Sequence, residues 1–234
     1  MRQCDNNQII KLPSKQCYNM KIIEFLVDLK ENNNRDWFKA NKSYFEEVKQ
    51  EFKDMVDYLI PSLAVTNPAL ANLEAKDTIF RIYRDVRFGK DKSPYKISMG
   101  AIMAPGGRKS SFAGHYFHVE PGGSFLAGGA YSPPSDILKN IRSEIYYNSD
   151  EFKSIILDAN FVKYFGEIEG SKLKRPPVGF PKDFADVELL KFKDYTVFHK
   201  IDDSDISNPE FLKTAIGIFE KMNPFIGFLN RAID

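Results

Sequence analysis

From residue 21 onward the apolar positions fall at helical spacing. Ile22, Leu26 and Leu29, flanked by Ile23 and Phe25, form one face of a helix. The Asn32, Asn33 and Asn34 cluster closes it and opens the next, with Asn34 or Asp36 available as N-cap. Trp37, Tyr44, Val48, Phe52, Met55 and Leu59 then recur at threes, fours and one seven. That spacing predicts a long amphipathic helix over residues 36–60, with Pro61 as its stop.

The period changes in the middle of the chain. Phe80, Ile82, Val86 and Phe88 alternate with Arg81, Tyr83, Asp85 and Arg87, which predicts a half-buried strand over 79–88. Residues 97–104 read as its partner. Residues 115–120 and 124–131 form a hairpin around Pro121, Gly122 and Gly123, where Pro and Gly suit a tight turn. Connections this short imply an antiparallel sheet of at least four strands.

Helical spacing returns after Ser132, Pro133 and Pro134, with Ile137, Leu138, Ile141 and Ile145 and a serine cap. A second short helix is expected over 150–157, a loop-rich excursion over 166–184 and a further strand over 195–201. The run Ser207, Asn208, Pro209, Glu210 reads as a capping box opening a last helix, which ends near Asn223 and Pro224. No internal repeat interrupts this order. The pattern predicts one α+β domain over residues 20–234, mainly an antiparallel sheet with helices packed on it, behind a polar extension of residues 1–19. Met20 opens the patterned part and is a candidate natural start.

Composition narrows the class. With 43% hydrophobic and 14% aromatic residues, the chain can bury a substantial core and does not read as disordered. Cys4 and Cys17 make no CxxC, so neither a disulfide framework nor a zinc site is expected, and reduced thiols fit a cytoplasmic protein. No run approaches the roughly 18 apolar residues of a membrane span. Asp5, Asn6, Asn7 and Lys11 interrupt any signal-peptide core. A soluble cytoplasmic protein with no membrane partner follows.

Charge then picks out one stretch. Residues 78–96 hold Arg81, Arg84, Arg87, Lys90, Lys92 and Lys96 against Asp85 and Asp91, a local balance of +4 in a chain of formal charge +1. Arginines and lysines beside Tyr83 and Tyr95 suit an anion. Arg84 falls on the apolar face of the predicted strand. An unpaired charge there costs several kcal/mol, so Arg84 is in a buried ion pair, holds an anion, or is exposed by a bulge. Asp85 can pair with Arg81 or Arg87 across the other face. The loop from Gly89 to Lys96 lacks the spacing of a nucleotide P-loop.

Tyr116, His118 and Glu120 share one strand face at period two, where His118 and Glu120 can act as acid and base. A metal needs a third ligand, and His199 lies in another segment, so no metal is assigned. Gly128 and Gly129 within a strand suggest a bulge or a close approach by a ligand or helix. The helix start after Pro134 is an anion site in principle, in competition with self-capping by Ser135. No serine-hydrolase elbow, zinc-protease or kinase motif occurs, and no cofactor is assigned.

The runs FLVDLKENNNRDWFKANKSYFEEVK at 25–49 and IFRIYRDVRFGKDKSPYK at 79–96 resemble a widespread family of conserved hypothetical proteins, domain-of-unknown-function family 2461. The pieces at 116–142, 173–184 and 188–195 are similar to it in the same order. The resemblance implies a single intracellular domain of unestablished activity and passes on no catalytic residue.

Three functions stay open at this level. The first is a pocket for a phosphorylated or carboxylated small molecule, as a binding site or as an enzyme acting on it. Arg81, Arg84, Arg87, Lys90, Lys92, Lys96 and Tyr95 would hold the anion, and His118, Tyr83 and Glu120 would be catalytic. The second is a nucleic-acid-binding module, disfavoured by the near-neutral charge. The third is a protein-interaction domain using the basic stretch 81–96.

Overall fold

A computed structural model of the protein describes residues 21–85, 87 and 91–233. Its helices are α1 (Lys21–Glu31), α2 (Arg35–Ala40), α3 (Lys42–Ala64), α4 (Ala75–Thr78), α5 (Ser135–Tyr147), α6 (Ser149–Ile156), α7 (Ala159–Phe165), α8 (Val187–Leu190), α9 (Asp203–Ile206) and α10 (Phe211–Arg231). Its strands are β1 (Met99–Met103), β2 (Gly114–Val119), β3 (Phe125–Ala130) and β4 (Tyr195–Lys200), an antiparallel sheet in that order. The fold is α+β, as the pattern predicts.

Several boundaries differ from the sequence pattern, each for a local reason. The expected helix 36–60 is two helices, because Asn41 ends α2 with its backbone and side-chain N–H groups both on the Trp37 carbonyl. Asn34 supplies the N-cap, its side chain accepting from the Trp37 N–H at 2.9 Å. Pro61 does not stop α3, since Leu63 is still buried two residues on. Pro224 likewise lies inside α10, where Phe225, Ile226, Phe228 and Leu229 continue the buried face. The loss of one backbone hydrogen bond is outweighed by burial of those side chains, each about 1.5–3 kcal/mol.

α10 begins at Phe211, after the predicted capping box, and the box that forms is Asp202 with Asp205 at α9. α5 begins at Ser135 with Pro134 in the cap position and no side-chain cap. Neither α7 nor α8 follows from the pattern.

Over residues 79–85 the predicted strand 79–88 is not a regular strand. Phe80 donates to the Gly100 carbonyl, Lys96 to Ile82 and Arg84 to Pro94, with single bridges at Ile79–Ala101 and Tyr83–Tyr95. This irregular ribbon lies on the outer edge of β1, and Glu169 bridges Thr196 on the outer edge of β4. Both sheet edges are thus covered, which removes templates for edge-to-edge pairing. β4 is the fourth strand.

Period two assigns the two sheet faces. One carries Phe117, stacked 5.4 Å from Phe52 of α3, and His115, 5.1 Å from Phe219 of α10. α1 covers α3 through Phe25 and Phe45, and α6 covers α10 through Phe152 and Phe228. All of these helices lie on the same side. The register Gly100–His118–Phe125–Lys200 and Ile102–Tyr116–Ala127–Phe198 runs across the other face.

Candidate functional site

That second face is the floor of a concave site of about 530 Å3, within the range of small-molecule pockets. Tyr116, His118, Phe125 and Phe198 stand on the floor. The ribbon supplies Phe80, Arg81 and Lys96 as one wall, and the turn after β1 adds Arg108 and Phe112. Tyr131, largely exposed, stands at the mouth.

The floor has room because β1 carries Gly100 opposite His118. A Cβ at Gly100 would lie 2.2 Å from the Tyr116 Oη, so glycine lets the phenol lean over β1. Tyr116 Oη lies 3.2 Å from His118 Nδ1, and His118 Nε2 lies 3.0 Å from Glu120 Oε2. The His118 ring stacks on Phe125 at 4.5 Å and 17°, which fixes its plane.

The proton positions in this chain follow from chemistry. The Glu120 carboxylate only accepts, so neutral His118 carries its proton on Nε2 and presents a bare Nδ1. Burial pushes the Tyr116 phenol up to about 12, with Glu120 and Tyr131 adding to the shift. Tyr116 is therefore O–H at neutral pH and donates to Nδ1. Replacing Glu120 with alanine releases this tautomer, so the His118 ring nitrogen shifts in NMR should move toward a mixed population. Unchanged ring shifts would show that Glu120 does not orient the histidine.

Three cations border the site, and among the described residues no aspartate or glutamate lines it. Lys96 Nζ lies 5.7 Å over the Phe80 ring. Burial pulls the Lys96 ammonium below the usual lysine range, and Arg81 and Arg84 pull it further. Arg108 donates to the carbonyls of Ile79 and Lys76, which holds its guanidinium at the wall. Arg81 makes no hydrogen bond or ion pair among the described residues.

Of the residues singled out by sequence, the site gathers Arg81, Lys96 and His118, with Glu120 behind the histidine. Arg84 stands apart: it pairs with Asp91, while its buried Nε has no partner. Arg87 grips Asp85 through Nε and Nη2 at 2.9 and 2.6 Å. Tyr95 is buried, stacked 3.9 Å from Phe38, and Tyr83 packs against the same pair from the surface. Neither tyrosine reaches the site, nor does Lys92. Lys90 lies outside the described residues, as do Cys4, Cys17 and Met20.

His199 meets the Tyr164 carbonyl at 2.9 Å instead of joining His118. Among the described residues no three His, Cys, Asp or Glu gather as a metal site, and no helix is long and apolar enough to cross a membrane.

The sequence pattern missed Arg108 and gave Tyr116 no role. Arg108 had one signal, the Gly106–Gly107 pair before it. A Cβ on Gly107 would lie 2.5 Å from the Asp77 carbonyl, so glycine brings this turn against residues 76–79. The signal for Tyr116 was its place two residues from His118.

No curated protein and no solved structure matches this chain. The family described as Conserved hypothetical protein (DUF2461) matches residues 21–228, the whole span from α1 into α10, and the chain belongs to that family.

Proposed function

We propose that the concave face of the sheet binds an anionic small molecule and moves a proton on it. The observation that carries this reading is the pairing of an aromatic floor with Arg81, Lys96 and Arg108 on a wall that holds no carboxylate among the described residues. Cations grouped on a wall that no carboxylate lines repel one another, and a bound anion relieves that repulsion. A concave site of this size supports a small ligand over a nucleic-acid strand, which needs an extended charged groove.

The proton path uses groups already in contact. A ligand proton passes to Tyr116 Oη as the phenol gives its own to His118 Nδ1. The phenol ends neutral, and Glu120 balances the imidazolium formed. No phenolate is needed, which agrees with the raised Tyr116 pKa.

Arg81→Met and Lys96→Met should each weaken anion binding by on the order of 10- to 100-fold, the worth of a charged hydrogen bond. Ligand-induced thermal shifts over a panel of phosphorylated and carboxylated metabolites measure this. Arg84→Met, outside the site and acting on Lys96 only through its charge, should change binding far less than either of those two substitutions. Stable Arg81 and Lys96 variants with undiminished binding would remove the reading.

A further inference from the structure

We infer that the ligand is a dianionic phosphate monoester carried on a planar aromatic ring, an inference that rests on the anion-binding reading above. The register separates the two ends of the site. Phe125 is paired with His118, and His118 with Gly100, so Phe125 lies two strand spacings from β1, about 10 Å, with Phe198 one strand further. The cations belong to the other end. Lys96 precedes β1, and Arg81 follows Phe80, whose N–H is bonded to the Gly100 carbonyl. A ligand filling this site is bipolar, with its charge over the β1 edge and its flat body over β3 and β4.

The charge count selects the anion. Three cations face the cavity without a carboxylate among its lining residues, and Arg81 makes no ion pair. A carboxylate brings one negative charge and leaves this excess standing. A phosphate monoester brings about 1.5–2 at neutral pH and three acceptor oxygens, enough for Arg81 and Lys96 together. Burial is the first cause of the depressed Lys96 ammonium, and the positive charge of Arg81 beside it adds to the shift.

The floor selects the body. Phe125 stacks with His118 and meets Phe198 edge-on at 5.3 Å and Tyr116 at 5.9 Å. Facing this group from the wall, Phe80 meets Tyr116 edge-on at 6.1 Å. Such a surface favours a flat ring over a flexible polyol, by about 0.5–1.5 kcal/mol per aromatic contact. The phenol of Tyr116 leans over Gly100, which puts the proton path at the charged end, beside the ester linkage.

The test is calorimetric titration with phenyl phosphate, glycerol phosphate and benzoate at about pH 8, where the phosphate second ionisation near 6 is complete. Phenyl phosphate should bind about 10-fold or more tighter than either of the others, which each lack one of the two features. Its affinity should fall toward about pH 5 as the ester becomes a monoanion, while that of benzoate holds. Lys96→Met should weaken both phosphates alike, and Phe198→Leu only phenyl phosphate.

Should either variant fail to fold, the three wild-type affinities decide alone. Benzoate binding as tightly as phenyl phosphate overturns the dianion and leaves the anion site standing. Glycerol phosphate binding as tightly overturns the ring. If none of the three binds, the anion-binding reading falls as well.

Discussion

Replacing Gly129 with alanine should lower the melting temperature by roughly 8–16 °C, the largest stability loss expected from a single added methyl in this protein. Gly129 sits in β3 at φ 125°, where an L side chain is strained, and a Cβ there would lie 2.0 Å from the Tyr195 carbonyl oxygen. That oxygen is backbone of the paired strand β4 and cannot rotate away. Strain of about 1–3 kcal/mol and overpacking of about 1–3 kcal/mol act together, about 4 kcal/mol at mid-range, and a domain of this length loses about 2–4 °C per kcal/mol.

Two neighbouring glycines separate the causes. At Gly128 an added Cβ meets the Met222 Sδ at 2.6 Å, the flexible end of a side chain, so Gly128→Ala should cost about half as much. At Gly122, φ is 68° but nothing lies within 4 Å, so Gly122→Ala should cost only about 1 kcal/mol. Scanning calorimetry of the three variants gives the order. A Gly129→Ala melt no lower than that of Gly122→Ala would show that β3 and β4 separate at little cost.

The same pair of glycines shows how far the sequence could be read. Their presence inside a strand pointed to a close approach, and the approach is by α10 at Gly128 and by the β4 backbone at Gly129. Which partner came close was not legible, because α10 lies some ninety residues on. Period two placed Tyr116, His118 and Glu120 on one face, and their contacts follow from that spacing alone.

Proline was the less reliable guide. Pro61 and Pro224 each remove one hydrogen bond, a local cost, while the buried residues beyond them belong to the whole core. Local rules see the first and not the second. Among the basic residues of 81–96 the limit was of the same kind. Arg87 is turned toward Asp85 and Arg84 toward Asp91, pairings within one segment. Arg81 and Lys96 reach the site because the ribbon hydrogen-bonds along β1, a long-range event that charge density does not encode. The alternation itself broke within the ribbon, where Ile82 is 5% exposed and Phe80, of the same parity, 39%.

On the opposite face of β2, His115 should make stability fall with acid. Its Nε2 faces the Phe219 carbonyl at 3.2 Å and the Asn223 Oδ1 at 3.1 Å, so it is the donor, and the buried Nδ1 has no partner. Protonation would place an N–H at Nδ1 with nothing to accept it. Burial accordingly depresses the ring to about 4, against 6.5 for an ordinary histidine, although the two contacts at Nε2 resist the shift. Between those values the unfolded chain binds a proton that the folded chain does not. The contribution of His115 is complete above about pH 6.5 and is lost as pH falls toward 4, in total roughly 3 kcal/mol at about 1.36 kcal/mol per pH unit.

Glu51 acts in the opposite sense, since burial raises its carboxyl from 4.5 to about 7, Asp54 adds to the rise and Lys21 opposes it. Its folded form holds the proton, so its contribution is present below about 4.5 and lost as pH rises through 7. The whole-protein profile mixes both signs, and a comparison with His115→Gln isolates the histidine. Glutamine keeps an N–H donor and takes up no proton, while Glu51 is common to both proteins. Urea unfolding at intervals from about pH 7 to 4 should show wild type losing stability more steeply than His115→Gln, by up to one proton's worth of slope. Parallel profiles would mean that His115 is protonated in the fold and that Nδ1 finds an acceptor.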